Sequence, residues 1–165
     1  MTKQVRPDWT TYFLDIATAV GKRSTCLRRK YGAIIVKDKI IISTGYNGAP
    51  RGEVNCIDTG NCEREKYNVP KGQRYELCVA VHAEQNAVIA ADPVKMKGAT
   101  IYIVGYNADG TLASGKPCLL CRRMLKNAMI AKVVYLETDG SIIEVAPSEI
   151  PVSYTHLRAH ETSAH

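Results

Sequence analysis

The sequence predicts an α/β protein: one domain in three layers, α/β/α, around a central mixed sheet of about five strands. Three observations carry this. Helical and strand patterns alternate along the chain as helix, strand, strand, helix, strand, helix, strand. Residues 100–104 are continuously apolar, as strands covered on both faces are. A chain of 165 residues, 45% hydrophobic and 23% charged, has the length and composition of a single domain with a sizeable core.

The elements follow in order. Asp8 is placed to cap a first helix, because its carboxylate can accept the free N–H groups of the first turn. Trp9, Tyr12, Phe13, Ile16, Ala17 and Val20 then recur at helical spacing, so these aromatics are expected in the core, and the helix is expected to end near Gly21. Residues 31–36 and 39–44 are β-rich runs flanking Lys37-Asp38-Lys39, which predicts a hairpin. GYNGAPRG, residues 45–52, carries three glycines and a proline and is loop. Residues 53–77 are polar and irregular; a loop of this length inside a compact domain is functional or pinned by something. Residues 82–91 have helical composition and stop before Asp92-Pro93. After the strand at 100–104 comes a Gly-containing loop, 107–116. Pro117 suits the first turn of a helix that 118–128 continue, and a strand follows at 132–136.

Several classes are excluded or made unlikely on composition. No apolar run approaches a membrane span, and the first ten residues lack the apolar region of a signal peptide, so a cytoplasmic protein with no membrane partner is expected. Six cysteines without a secretion signal favour metal or reduced thiols over disulfides. The net charge of +6 is concentrated in KRSTCLRRK and at Arg122, Arg123 and Lys126; such runs are ordinarily solvated surface, with phosphate attraction as the functional alternative. Residues 152–165 have no core face and resemble translated vector or adapter sequence. They are set apart as a non-native or disordered tail, leaving residues 1–151 as the domain. His156, His160 and His165 go with the tail, so His82 is the one histidine of the body.

VHAEQNAV at 81–88 and PCLLC at 117–121 carry the chemistry. Cys118 and Cys121, three apart near a helix start, share a face and sit where free N–H groups favour thiolates. His82 and Glu84 open another helix, so both can reach one centre. His-x-Glu followed by Pro-Cys-x-x-Cys is the signature of zinc nucleobase deaminases, with His82, Cys118 and Cys121 as ligands and a fourth position open. Two thiolates and a neutral imidazole cancel the metal's charge, so a bound water is less acidic than the ~7 of a three-histidine site. A base is therefore needed, and Glu84 takes that role. A structural zinc on the same three residues would need a fourth protein ligand and would leave Glu84 idle.

RSTCLRRKYGAIIV, IIISTGYNGAPRG, LCVAVHAEQNAV and KPCLLCRRML together resemble the deoxycytidylate (dCMP) deaminases of the cytidine deaminase superfamily, from about Asp8 to Leu136. The resemblance implies a cytidine-deaminase-like fold and hydrolysis of dCMP to dUMP and ammonia. It implies that Asn47 contacts sugar and pyrimidine, and that the Ala83 backbone helps hold the base. For the 5′-phosphate Arg28 is the first candidate, with Lys30 and Arg51 as alternatives, and Tyr106 and Tyr102 are candidates to wall the pocket. Cys26, Cys56, Cys62 and Cys78 are expected to hold a second, structural zinc ordering residues 53–77, with reduced thiols as the alternative. Family members imply a homo-oligomer, dimer to hexamer, regulated by dCTP and dTTP with Mg2+ accompanying the nucleotide. A final helix after the strand at 132–136 is also implied, where residues 140–152 instead offer a strand. Two other readings remain. One is a deaminase of adenosine in tRNA or of another nucleobase, to which the basic charge would be useful. The other is a non-catalytic zinc module binding nucleic acid or serving DNA uptake. The dCMP reading expects no stable nucleic-acid partner.

Overall fold

The computed structural model describes residues 4–153. The expected tail lies outside the described residues apart from Val152 and Ser153, as do its three histidines.

Helix α1 (Trp9–Gly21) starts as anticipated, with Asp8 Oδ1 accepting from Thr11 N–H at 2.7 Å. The aromatic stripe is only partly core, which corrects the expectation. Phe13 is buried with Leu14 and Ala17, whereas Trp9 and Tyr12 are 51% and 43% exposed, Trp9 stacked on the Phe13 ring (21° between planes) and Tyr12 tilted against it (55°). The ring contacts of Trp9 and Tyr12 are with each other, with Phe13 and, for Trp9, with the Lys39 ammonium at 4.9 Å, which leaves both partly exposed. Strands β1 (Arg29–Lys37) and β2 (Ile40–Tyr46) form the hairpin. Asp38 and Lys39 take positive φ (51° and 63°), the geometry of a two-residue turn that matches strand twist.

The predicted loop at 53–77 contains three single-turn pieces: α2 (Cys56–Thr59), α3 (Glu63–Lys66) and a 3-10 turn at Tyr75–Leu77, none with a buried residue. It is tied to the body by Ile57 N–H on Thr25 O (3.2 Å) and an Arg28–Glu65 ion pair (3.3 Å). Helix α4 (Ala83–Ala90) and the short α5 (Pro93–Met96) lead into β3 (Thr100–Asn107) and the two-residue β4 (Leu112–Ala113). Helix α6 (Leu119–Asn127), β5 (Lys132–Leu136) and β6 (Ile142–Val145) complete the order. Pro117 precedes the helix rather than opening it, because Cys118 is the capping residue.

The sheet runs β2-β1-β3-β5-β6, with β4 pairing β3 beside this path. β3 and β5 are parallel and the other pairs antiparallel, so the sheet is mixed as expected. Among the described residues β5 is followed by β6, an antiparallel edge strand, rather than by an α-helix, and Ile150 returns to the core.

Period-two alternation divides the core into two. Ala33, Ile35, Ile101, Ile103, Val133 and Tyr135 face α4, α5 and α6, while Ile34, Val36, Val104 and Val134 face α1. Close approach sets the layer spacing. A Cβ on Gly45 would stand 2.4 Å from Ala83 O and Ala87 N, so glycine lets the N-terminal turns of α4 rest on β2. Gly45→Ala is expected to displace α4 and destabilise the protein by about 1–3 kcal/mol or more, read as a fall in the urea midpoint. An unchanged midpoint would show that α4 is not held by this contact.

Candidate metal centre and substrate cleft

Two helix N-termini meet above the α4/α6 face of the sheet. His82 and Cys118 are the capping residues of α4 and α6, each with extended backbone (ψ 154° and 167°). Gln85 Oε1 accepts from His82 N–H at 2.8 Å, which fixes the backbone of the capping residue at the start of α4. One turn on, Cys121 is fully buried, and Glu84, second residue of α4, is buried beside it.

Cys118 Sγ and Cys121 Sγ each lie 3.5 Å from His82 Nδ1, and the three donor atoms are within 4.8 Å of one another. Tetrahedral zinc, with bonds of ~2.3 Å to sulfur and ~2.0 Å to nitrogen, separates sulfur from nitrogen by about 3.6 Å. The spacing and the soft donor set therefore fit zinc. Among the described residues no other trio of such groups meets this spacing.

The electrostatics agree with a cation-binding centre. Cys118 is lowered to about 4, chiefly by a hydrogen bond from the Cys121 thiol and, against its burial, by one from His82. Cys121 is pushed up as the partner that keeps the proton, with burial and the Glu84 carboxylate adding to the effect. His82 is raised, first by its hydrogen bond to Cys118. A divalent cation held here would displace the proton that Cys121 keeps. Burial raises Glu84, against the opposing pull of His82.

The centre opens into a cleft of about 1140 Å³, ample for a nucleotide. Its lining includes eight lysines and arginines but only two carboxylates, Glu76 and Glu84. Ala83, the first residue of α4, lines it. So does Asn47, whose amide also braces β1: Oδ1 accepts from Tyr31 N–H (2.8 Å) and Nδ2 donates to Arg29 O (3.0 Å). Arg28 reaches the cleft, yet its Nε is engaged by Glu65.

Tyr106 and Tyr102 are corrections. Both pack with the α1 cluster, on the sheet face away from the cleft, because residues of even number in β3 point there. Lys30 shares that face by the same alternation, pairing Tyr106 across the ladder, and Arg51 stands exposed in the turn after β2. Tyr31, Arg29, Arg64 and Tyr75 line the cleft instead. Tyr31 and Arg29 share the phase of Ala33 and Ile35, a signal present in the sequence; Arg64 and Tyr75 sit in the aperiodic segment, where no such signal exists.

Cys26, Cys56, Cys62 and Cys78 are free thiols in one neighbourhood. Burial raises Cys56, and the charges of Cys26, Cys62 and Cys78 raise it further. Their sulfurs are not gathered to the spacing of the first centre.

A three-layer α/β/α fold with a histidine and two cysteines at facing helix N-termini, and a buried glutamate alongside, defines the class of zinc-dependent nucleobase deaminases. The family model for the cytidine and deoxycytidylate deaminase zinc-binding region matches residues 7–137, and the chain belongs to that family. It is 42% identical to a deoxycytidylate deaminase of Mycobacterium phage D29 over 135 residues, 79% of this chain and 95% of the phage protein. It is 36% identical to the deoxycytidylate deaminase of Schizosaccharomyces pombe over 130 residues, 79% of this chain but 37% of the yeast protein. Among solved structures it resembles the dCMP deaminase of cyanophage S-TIM5 in complex with dCMP and dUMP, with a TM-score of 0.58 at 27% identity, covering 83% of this chain and 90% of that one. Among the described residues no helix is long and apolar enough to cross a membrane.

Proposed function

We propose that this protein hydrolyses dCMP to dUMP and ammonia at the His82–Cys118–Cys121 centre. The observation that carries it is the buried Glu84 carboxyl beside a zinc-fitting trio, at the floor of a strongly basic cleft. When bound, zinc acidifies the water that serves as nucleophile. His82 Nδ1 and the two thiolates hold the metal and balance its charge, which leaves the proton to be taken by the protein. Glu84 accepts that proton and delivers it to the amino group leaving C4 of the pyrimidine; burial, by raising the carboxyl, lets it hold the proton between the two steps. Ala83 and Asn47 hold base and sugar, and the cations of the cleft attract the 5′-phosphate.

Kinetics on dCMP, cytidine and a tRNA anticodon loop test this. Cytidine is expected to fall about 10- to 100-fold below dCMP in kcat/KM, the worth of a charged hydrogen bond. Faster release of ammonia from the anticodon loop than from dCMP would transfer the activity to tRNA adenosine.

The proposal extends to a folded unit ending near residue 151, a cytoplasmic location supported by six free thiols, and a second zinc on Cys26, Cys56, Cys62 and Cys78 that local rearrangement of residues 53–77 would bring together. Homo-oligomerisation and control by dCTP and dTTP with Mg2+ belong to the same reading, and sedimentation and assay with each nucleotide present check them.

A further inference from the structure

We infer that Tyr75, held by Arg64, is a substrate-contacting wall of the cleft, so that the 53–77 segment supplies a specificity-determining residue to the reaction. This rests on the nucleotide reading of the cleft given above.

The argument begins with Arg64. Its Nη2 donates to Pro70 O and to Gln73 O, both at 2.9 Å, which curls residues 70–73 around the guanidinium. The guanidinium lies over the Tyr75 ring at 5.0 Å, a cation–π contact. Arg64 Nε is buried without a hydrogen-bond partner. Arg28 supports it from the body of the domain, its Nε pairing Glu65 next to Arg64 at 3.3 Å. The cation expected to bind phosphate thus anchors the segment that carries Arg64.

Tyr75 is the far end of this brace. Its ring meets the His82 imidazole edge-on, with centroids 5.3 Å apart and an interplanar angle of 79°. It lines the cleft with Tyr31 of β1, Asn47 just after β2 and Ala83 of α4. One ring face is covered by Arg64, and the tyrosine stands against a metal ligand where the reacting end of a pyrimidine must come. A rigid aromatic in that place limits the width open to the base and gives it an apolar surface.

The test is steady-state kinetics on dCMP with zinc content measured on the same samples. Tyr75→Ala is expected to raise KM about ten-fold or more, in the range of a lost base–aromatic contact, with zinc per chain unchanged. Tyr75→Phe should restore KM, because the ring rather than the hydroxyl makes the wall. Arg64→Met should shift KM in the same direction by a smaller factor. Tyr75→Leu reads the same quantity should the alanine variant fold poorly. An unchanged KM in these variants overturns the inference. So does activity lost in proportion to zinc with KM preserved, which would make Tyr75 a mere support of His82. Wild-type protein without dCMP turnover would instead overturn the nucleotide reading itself.

Discussion

Glu84→Gln is expected to keep zinc bound and lower kcat on dCMP by about 10²- to 10⁴-fold, the range for a positioned general acid–base. The amide is nearly isosteric, so α4 and the donor trio should be undisturbed, but it cannot take up the proton at neutral pH. Glu84 lies in a buried site against the Cys121 thiol, and no cation is ion-paired with it among the described residues. Removing its charge should therefore cost little stability and leave zinc retention at least equal. Metal analysis and kcat on one preparation check both halves. A glutamine variant with near wild-type kcat would remove Glu84 from the chemistry. Zinc lost together with activity would mark it as part of the metal's hold instead. A scaffold that binds zinc without catalysis would be indifferent to the change.

Cys121→Ser is expected to remove one zinc per chain and with it all measurable turnover. Serine is similar in size, but its hydroxyl is a poor ligand for zinc, and the site then offers one thiolate and one imidazole. Because metal binds the native state, its loss should lower stability: free zinc at a thousand-fold above the dissociation constant contributes about 4 kcal/mol. The wild type treated with chelator should fall in thermal midpoint at least as far as the variant has, and chelator should lower the variant further only if the four-cysteine site holds metal. Variant protein with full zinc content would exclude Cys121 as a ligand. The same measurement counts the second centre. About two zinc per wild-type chain falling to about one supports the four-cysteine site; about one falling to none argues for reduced thiols.

Much of this was legible in the chain because its signals are local. Asp8 caps α1, Lys132–Leu136 is a strand with the expected bounds, and α4 begins and ends where the HAE run and Asp92-Pro93 place it. The donor trio was legible for the same reason: each half sits at a helix start, and a helix start is set by nearby residues. What failed were inferences about distance. Trp9 and Tyr12 fit the helical stripe, but exposure depends on what packs over each side chain, which spacing along the helix does not record. Tyr106 is aromatic and near the right loop, yet one residue of strand phase places it on the α1 face. Arg28 has the charge for a phosphate, but its carboxylate partner lies 37 residues on in a segment without periodicity.

The sequence by itself determined the main elements (α1, the β1–β2 hairpin, α4, β3, α6 and β5), the two helix starts and the chemical kind of their side chains, because capping, periodicity and donor chemistry act over a few residues. Only the tertiary structure decided that His82 Nδ1 stands 3.5 Å from both sulfurs, which tyrosines face the cleft, and that Arg64 braces Tyr75 against His82. Those facts depend on layer spacing and on how an aperiodic segment is tied down. Contacts between residues far apart in the chain set both, and no local pattern records them.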